Sequence, residues 1–174
     1  ADLLFRVHAM ELRDTQAFLL DLKSSQFGRH LKIAGIMHGL TKKPTYVPGF
    51  SEQLKTDLTS PSEPGPKPYA IILPVKKSAE WWGLDRDKQV AMMQEHTAAA
   101  LPYLKTVKRK LYHSTGLDDL DFITYFETSN LENFHSLVLS LEKVKEFQYV
   151  RRIGHPTLLG VLQSVDEVIE SLVQ

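Results

Sequence analysis

The sequence predicts an α+β protein on three observations. Short apolar runs rich in β-branched and aromatic residues recur along the chain, segments of helical period lie between them, and one such order occurs twice. One Pro- and Gly-rich stretch divides the 174 residues into a partial N-terminal half-repeat over 1–42, a linker over 43–67 and a C-terminal domain over 68–174.

Leu3 to Ala9, short and apolar, reads as a strand. Asp14 supplies an N-cap and Phe18, Leu19 and Leu22 follow at helical spacing, so a helix runs to about Gly28–Leu31. Ile33 to Leu40 returns as a second strand. Pro44, Pro48, Pro61, Pro64, Pro66 and Pro68, with Gly49 and Gly65, mark the linker. Tyr69 to Val75 is a buried-strand run, and Asp85 to about Lys105 is helical with a kink at Pro102. Val107 to Ser114 and Phe122 to Thr128 are strands joined through Gly116-Leu117-Asp118-Asp119, a sequence suited to a hairpin loop. Leu131 to Lys145 is helical, with Phe134, Leu137, Val138 and Leu141 on one face. A strand over parts of Phe147 to Val161, interrupted near Gly154 and Pro156, precedes a short helix capped by Asp166.

From Tyr69 onward the order is βαββαβ, the ferredoxin-like arrangement. Asp2-Leu3-Leu4-Phe5 opens a strand–helix–strand segment as Asp119-Leu120-Asp121-Phe122 does. The expectation is therefore tandem ferredoxin-like repeats of the dimeric α+β barrel type, with the first repeat incomplete through truncation or natural loss.

Composition narrows the function classes. Zero net charge gives no reason to expect wholesale nucleic-acid or membrane binding, and no run approaches the length of a membrane helix. The absence of cysteine excludes disulfides, thiolate metal sites and a cysteine nucleophile. No leader pattern is visible at Ala1, and compartment is left undetermined.

Among the seven histidines, His96 stands out because Met93, Thr97 and Ala100 neighbour it on roughly one helix face, leaving room for a flat ring. Strand alternation puts Val107, Arg109, Leu111 and His113 on one face. Arg109 is then either an edge charge in solvent or a cation held in an apolar cavity. Phe122, Thr124 and Phe126 also alternate onto one face; if it is shared with Arg109, the result is a mostly dry pocket with a permanent positive charge. Trp81 and Trp82 follow Lys76 and Lys77 closely, which reads either as a helix-start anchor or as a site for a flat anionic aromatic ligand whose carboxylates meet Lys77. Haem with its propionates fits that description, and so would a nucleotide, although no phosphate-cradling glycine loop is present. Glu146, at a helix-to-strand junction, is a candidate acceptor for the second ring nitrogen of an iron-ligating histidine.

With these residues assembled, the chain resembles the chlorite dismutases over nearly its whole length. The likeness is carried by Tyr-Ala-Ile-Ile-Leu-Pro-Val-Lys-Lys-Ser-Ala-Glu-Trp-Trp (69–82), by residues 93–119 with Met-Gln-Glu-His-Thr-Ala-Ala-Ala-Leu-Pro-Tyr at their start, and by Asp-Phe-Ile-Thr-Tyr-Phe-Glu-Thr (121–128). Lys-Val-Lys-Glu-Phe (143–147) and Gly-His-Pro-Thr-Leu-Leu-Gly (154–160) are shorter echoes.

The resemblance implies one haem b in the C-terminal domain and conversion of chlorite to chloride and dioxygen. It implies His96 as the proximal iron ligand, Glu146 as its hydrogen-bonded carboxylate and Arg109 as the distal cation. Lys77, Trp81 and Trp82 would surround the haem on the proximal side, Leu111, Thr124 and Phe126 would line the distal pocket, and Tyr46 would approach a propionate. It implies a homo-oligomer, pentameric as in the long branch or dimeric as in the short one, and export by a signal upstream of Ala1. Coproheme decarboxylases share the fold but carry glutamine where Arg109 stands. A non-catalytic haem-binding barrel is the reading from another class.

Overall fold

A computed structural model describes residues 3–42, 51–60 and 65–173. The chain divides into two compact units, Ala1–Met37 and His38–Gln174. The first contains helix α1, Leu12–Ser24, and a 3-10 turn, Gly28–His30. Asp14 lies in the first turn of α1 rather than capping it; Glu11 holds the N-cap position and makes no side-chain cap bond. Lys23 Nζ donates to the Leu31 carbonyl at 2.6 Å. The chain turns so tightly that a Cβ on Gly28 would run into the Leu22 carbonyl. No strand forms over the described part of Leu3 to Ala9 or over Ile33 to Leu40, apart from one bridge from Leu40 to His113. A strand is completed by its neighbours, and an apolar run without a ladder partner remains unpaired whatever its propensity.

The second unit is built on an antiparallel sheet. Its strands are β1 (Tyr69–Lys77), β2 (Val107–His113), β3 (Phe122–Thr128), β4 (Val150–Ile153) and β5 (Leu158–Val161). The order is β2-β3-β1-β4, with β5 also on β1, which is the ferredoxin-like topology with its last strand in two pieces. The reason for that break lies in β1. β5 pairs with Tyr69 to Ile72 and β4 with Val75 to Lys77, so the gap falls opposite Pro74, which has no N–H to donate. The Pro74 carbonyl still accepts from Gly154 N–H at 2.8 Å, where the interrupted strand turns.

The β2–β3 hairpin runs in strict register from Val107 opposite Thr128 to His113 opposite Phe122. Its loop needs Gly116, whose φ of +78° is strained for residues with a Cβ. Helix α4 (Arg86–Ala100) stops just before Pro102, and a 3-10 turn over Leu101–Tyr103 replaces the expected kinked continuation. Helix α5 (Leu131–Leu141) starts where Asn130 accepts from Asn133 N–H. A 3-10 helix, Lys145–Tyr149, then leads into β4. The last helix, α6, spans Val165–Val173 and is capped by the Ser164 hydroxyl, not by Asp166.

Two short helices were not expected from the sequence. α2 (Glu52–Thr59) forms inside the proline-rich linker, capped by Ser51, and α3 (Ala79–Trp82) follows β1. α2 covers the edge strand: Leu58 and Leu54 pack on Leu111, while Lys110 Nζ donates to the Asp57 carbonyl and the Ser60 hydroxyl at 2.6 Å each.

The core lies between the sheet and α4 and α5, where Ile71, Ala100, Val107, Phe126 and Leu137 are buried together and Phe126 meets Phe134 edge-on. Leu137→Ala is expected to destabilise the unit by about 2–5 kcal/mol, as for a closed core position, whereas Leu139→Ala on the exposed face of α5 should stay within about 0.5 kcal/mol. Denaturant melts of the two variants check this.

Candidate functional site

Register decides which side chains share a cavity. Phe126 lies opposite both Ile71 and Arg109, Thr124 opposite Leu73 and Leu111, and Phe122 opposite Val75 and His113. Directly paired residues point to the same face, so Arg109, Leu111, Thr124 and Phe126 all lie on the side that α4 and α5 cover. The shared face expected from alternation is therefore present. The helices bury only the Ile71–Phe126–Val107 end of it. Val75, Phe122, Thr124, Leu111 and His113 are half-buried, although β1 and β3 are the middle strands of the sheet. Thr124 Oγ1 donates to the Leu73 carbonyl at 2.6 Å, which satisfies its polar atom internally.

His96 stands on α4 with its ring Nδ1 3.2 Å from Glu146 Oε2. Glu146 is 6% exposed, inside the 3-10 helix that connects α5 to β4. Its other oxygen pairs with Lys77 Nζ, at the end of β1. One buried carboxylate thus joins a helix, a connecting turn and a strand. Burial lowers the pKa of His96 to about 3, helped by the charges of Arg109 and then Lys77. The imidazole is neutral, with Nδ1 engaged, so Nε2 is the nitrogen able to donate a lone pair elsewhere.

Lys77 behaves differently from the sequence expectation. Its ammonium does not stand ready for ligand carboxylates; it is buried between Glu146 and the face of Trp81, 4.6 Å from the ring centroid. Burial lowers its pKa to about 8, opposed by the nearby Asp121 carboxylate. The two tryptophans also divide their roles. Trp81, 6% exposed, anchors α3 against Tyr149, and its carbonyl accepts from Gln89 Nε2. Trp82, 49% exposed, stacks on Phe122 at the open end of the face. Tyr46 lies outside the described residues.

The arrangement fits a haem. A neutral imidazole with its second nitrogen held by a carboxylate is a strong axial donor. The half-buried apolar strip along β1, β3 and β2 would be closed by a flat macrocycle. Thr97 Oγ1, one residue from His96, is buried without a hydrogen-bond partner among the described residues. Among the described residues no three metal-ligating side chains converge, so a bare ion would find few ligands, whereas a porphyrin carries four of its own. A concavity of about 800 Å³ lies elsewhere, lined by Lys76, Phe147, Arg151, Arg152 and His155. It holds none of the expected site residues.

Fold and site together define a ferredoxin-like α+β protein with a half-buried imidazole on a buried carboxylate, beneath a sheet face that carries a guanidinium. The sequence model of the family described as "Chlorite dismutase" matches residues 1–163, and the chain belongs to that family. It is 43% identical over 174 residues to a chlorite dismutase of Ideonella dechloratans, covering 99% of this chain and 61% of that protein's length. A chlorite dismutase structure from Candidatus Nitrospira defluvii, in complex with imidazole, is 60% identical with a TM-score of 0.85, over 96% of this chain and 70% of that one. A dimeric chlorite dismutase from Nitrobacter winogradskyi is 27% identical with a TM-score of 0.59, over 74% of this chain and 76% of that one.

The depressed pKa of His96 has a consequence for stability. Below about pH 6.5 the unfolded chain takes up a proton on this imidazole, while the folded chain refuses it until about pH 3. The contribution is therefore fully present above pH 6.5 and is lost progressively as pH falls toward 3. His96→Gln should flatten that acid limb, measured as the difference between urea midpoints at pH 5 and pH 7.5. Equal differences in the two proteins would contradict an imidazole held neutral in the fold.

Proposed function

We propose that this chain holds haem b and converts chlorite to chloride and dioxygen. Family membership supports the reading, and the observation that carries it is the His96–Glu146 pair facing the strand that bears Arg109. Solved structures of the Nitrospira relative include variants of one arginine and of two adjacent tryptophans. Those three positions have the same mutual spacing as Trp81, Trp82 and Arg109 here.

When bound, the haem supplies the redox chemistry by which oxygen atoms leave chlorine. The protein's contribution is positioning and charge. His96 would hold the iron through Nε2, and Glu146, accepting from Nδ1–H, would fix the tautomer and strengthen the donor. Lys77 pairs with the other oxygen of Glu146 and holds the carboxylate in its buried position. Arg109 attracts the chlorite anion and retains the chlorine fragment, because its charge is not lost by deprotonation. Leu111, Thr124 and Phe126 form a wall without spare donors, while Trp81 and Trp82 close the other side. Tyr46 is proposed near a propionate, and the substrate-binding assembly is proposed to be a homo-oligomer, a pentamer or a dimer.

Haem b titrated into the protein, followed by chlorite in an oxygen electrode, tests the reading; oxygen release is expected. Bound haem without oxygen release would leave a haem-binding protein. His96→Ala should lose haem, and Glu146→Ala should weaken haem binding about 10–100-fold. Arg109→Ala should still evolve oxygen but bleach after fewer turnovers; an unchanged number of turnovers would remove its retaining role.

A further inference from the structure

Asp121 carries no role in the reading above, yet it is one of the most deeply buried charges of the chain, 1% exposed, directly before β3. Its carboxylate is fully engaged. Oδ2 accepts from the backbone N–H of Lys77 at 2.8 Å, Oδ1 accepts from Thr115 Oγ1 at 3.1 Å, and Lys76 Nζ lies 3.6 Å from Oδ1. Its own N–H donates to the Val75 carbonyl at 3.0 Å.

These contacts sit where the sheet stops holding β1. Pairing with β3 ends at Val75 opposite Phe122, and pairing with β4 shifts register between Lys76 and Lys77. An amide at such a shift has no regular ladder partner, and burying it unsatisfied costs about 1–3 kcal/mol. Asp121 accepts from that N–H and so fixes the backbone from which the Lys77 side chain leaves toward Glu146 and Trp81. Its negative charge also opposes the lowering of the Lys77 pKa by burial.

Resting on the haem reading of the site, we propose that Asp121 is a positioning residue for the haem centre, acting through Lys77 on the Glu146–His96 pair. Asp121 touches neither haem nor substrate. It fixes the backbone from which Lys77 reaches Glu146, and Glu146 in turn orients His96. Loss of Asp121 frees that backbone, and Glu146 then loses one of the two side-chain contacts that hold its carboxylate in place.

Two readouts separate this role from simple support of the fold. The first is haem b affinity of the full chain in a double-mutant cycle, with Asp121→Ala, Lys77→Met and the double variant. Asp121→Asn, which can still accept from Lys77 N–H, is the control and should keep the wild-type affinity. With Asp121→Ala the affinity should fall about 10-fold, the double variant should be no weaker than Lys77→Met alone, and urea midpoints should report any general destabilisation separately. The second readout needs no haem: ¹⁵N NMR of the His96 ring. The wild-type ring should show one tautomer protonated at Nδ1, and Asp121→Ala should give a mixture. Additive losses in the cycle, or an unchanged His96 tautomer in a folded Asp121→Ala protein, would overturn the proposal. Wild-type protein that takes up no haem would instead overturn the haem reading, and the NMR result would then decide the Asp121 linkage by itself.

Discussion

The site depends on one shared anion. Glu146 is bonded at one oxygen to His96 and at the other to Lys77, and both neighbours come from elements distant in sequence. A buried carboxylate is tolerated only where its oxygens find partners, and here each oxygen has one. Because both ions are buried, removing either leaves an uncompensated charge rather than a harmless gap. The three-residue link is therefore rigid as a unit, and the orientation of the imidazole follows from it.

The sheet supplies the opposite wall by simple alternation. Strict register between β2 and β3 leaves no freedom about where Arg109 points: a one-residue slip would send it to the other face with Lys108 and Lys110. A strand is a better platform for this cation than a loop, since its neighbours Leu111, Thr124 and Phe126 are set by the same ladder. Pro74 and the divided last strand show how far the register is kept. β1 gives up pairing where it has no donor, and resumes it on either side.

Much of this was legible in the sequence. The β2–β3 hairpin and α5 follow from alternation and helical spacing, which act over a few residues, and their ends fall within a residue of expectation except where α5 gives way to a turn. The candidate pair His96 and Glu146 came with the family resemblance, and the structure brings the two side chains into contact. That the described parts of Leu3 to Ala9 and Ile33 to Leu40 form no strand, apart from one bridge at Leu40, was not legible, because a ladder partner is not a property of the run itself. α2 was hidden by flanking prolines, although Ser51 followed by Leu54 and Leu58 is a cap with an apolar face. The partner of Lys77 was invisible for a different reason. Lysine next to tryptophan suggests a ligand-facing charge, and only the fold shows that a carboxylate from the far end of the domain already occupies it.

Two permanent or near-permanent cations, Arg109 and Lys77, lie close enough to His96 to resist its protonation. An imidazolium there would be the third positive charge in a partly dry space, held by a single carboxylate already paired with Lys77. The same cations that would draw in and retain an anion therefore also keep the imidazole in its donor form, and desolvation works in the same direction. Charge placement thus serves two ends of the site at once: a neutral nitrogen on the helix side and a positive potential on the strand side. A single charge reversal at Arg109 would change both.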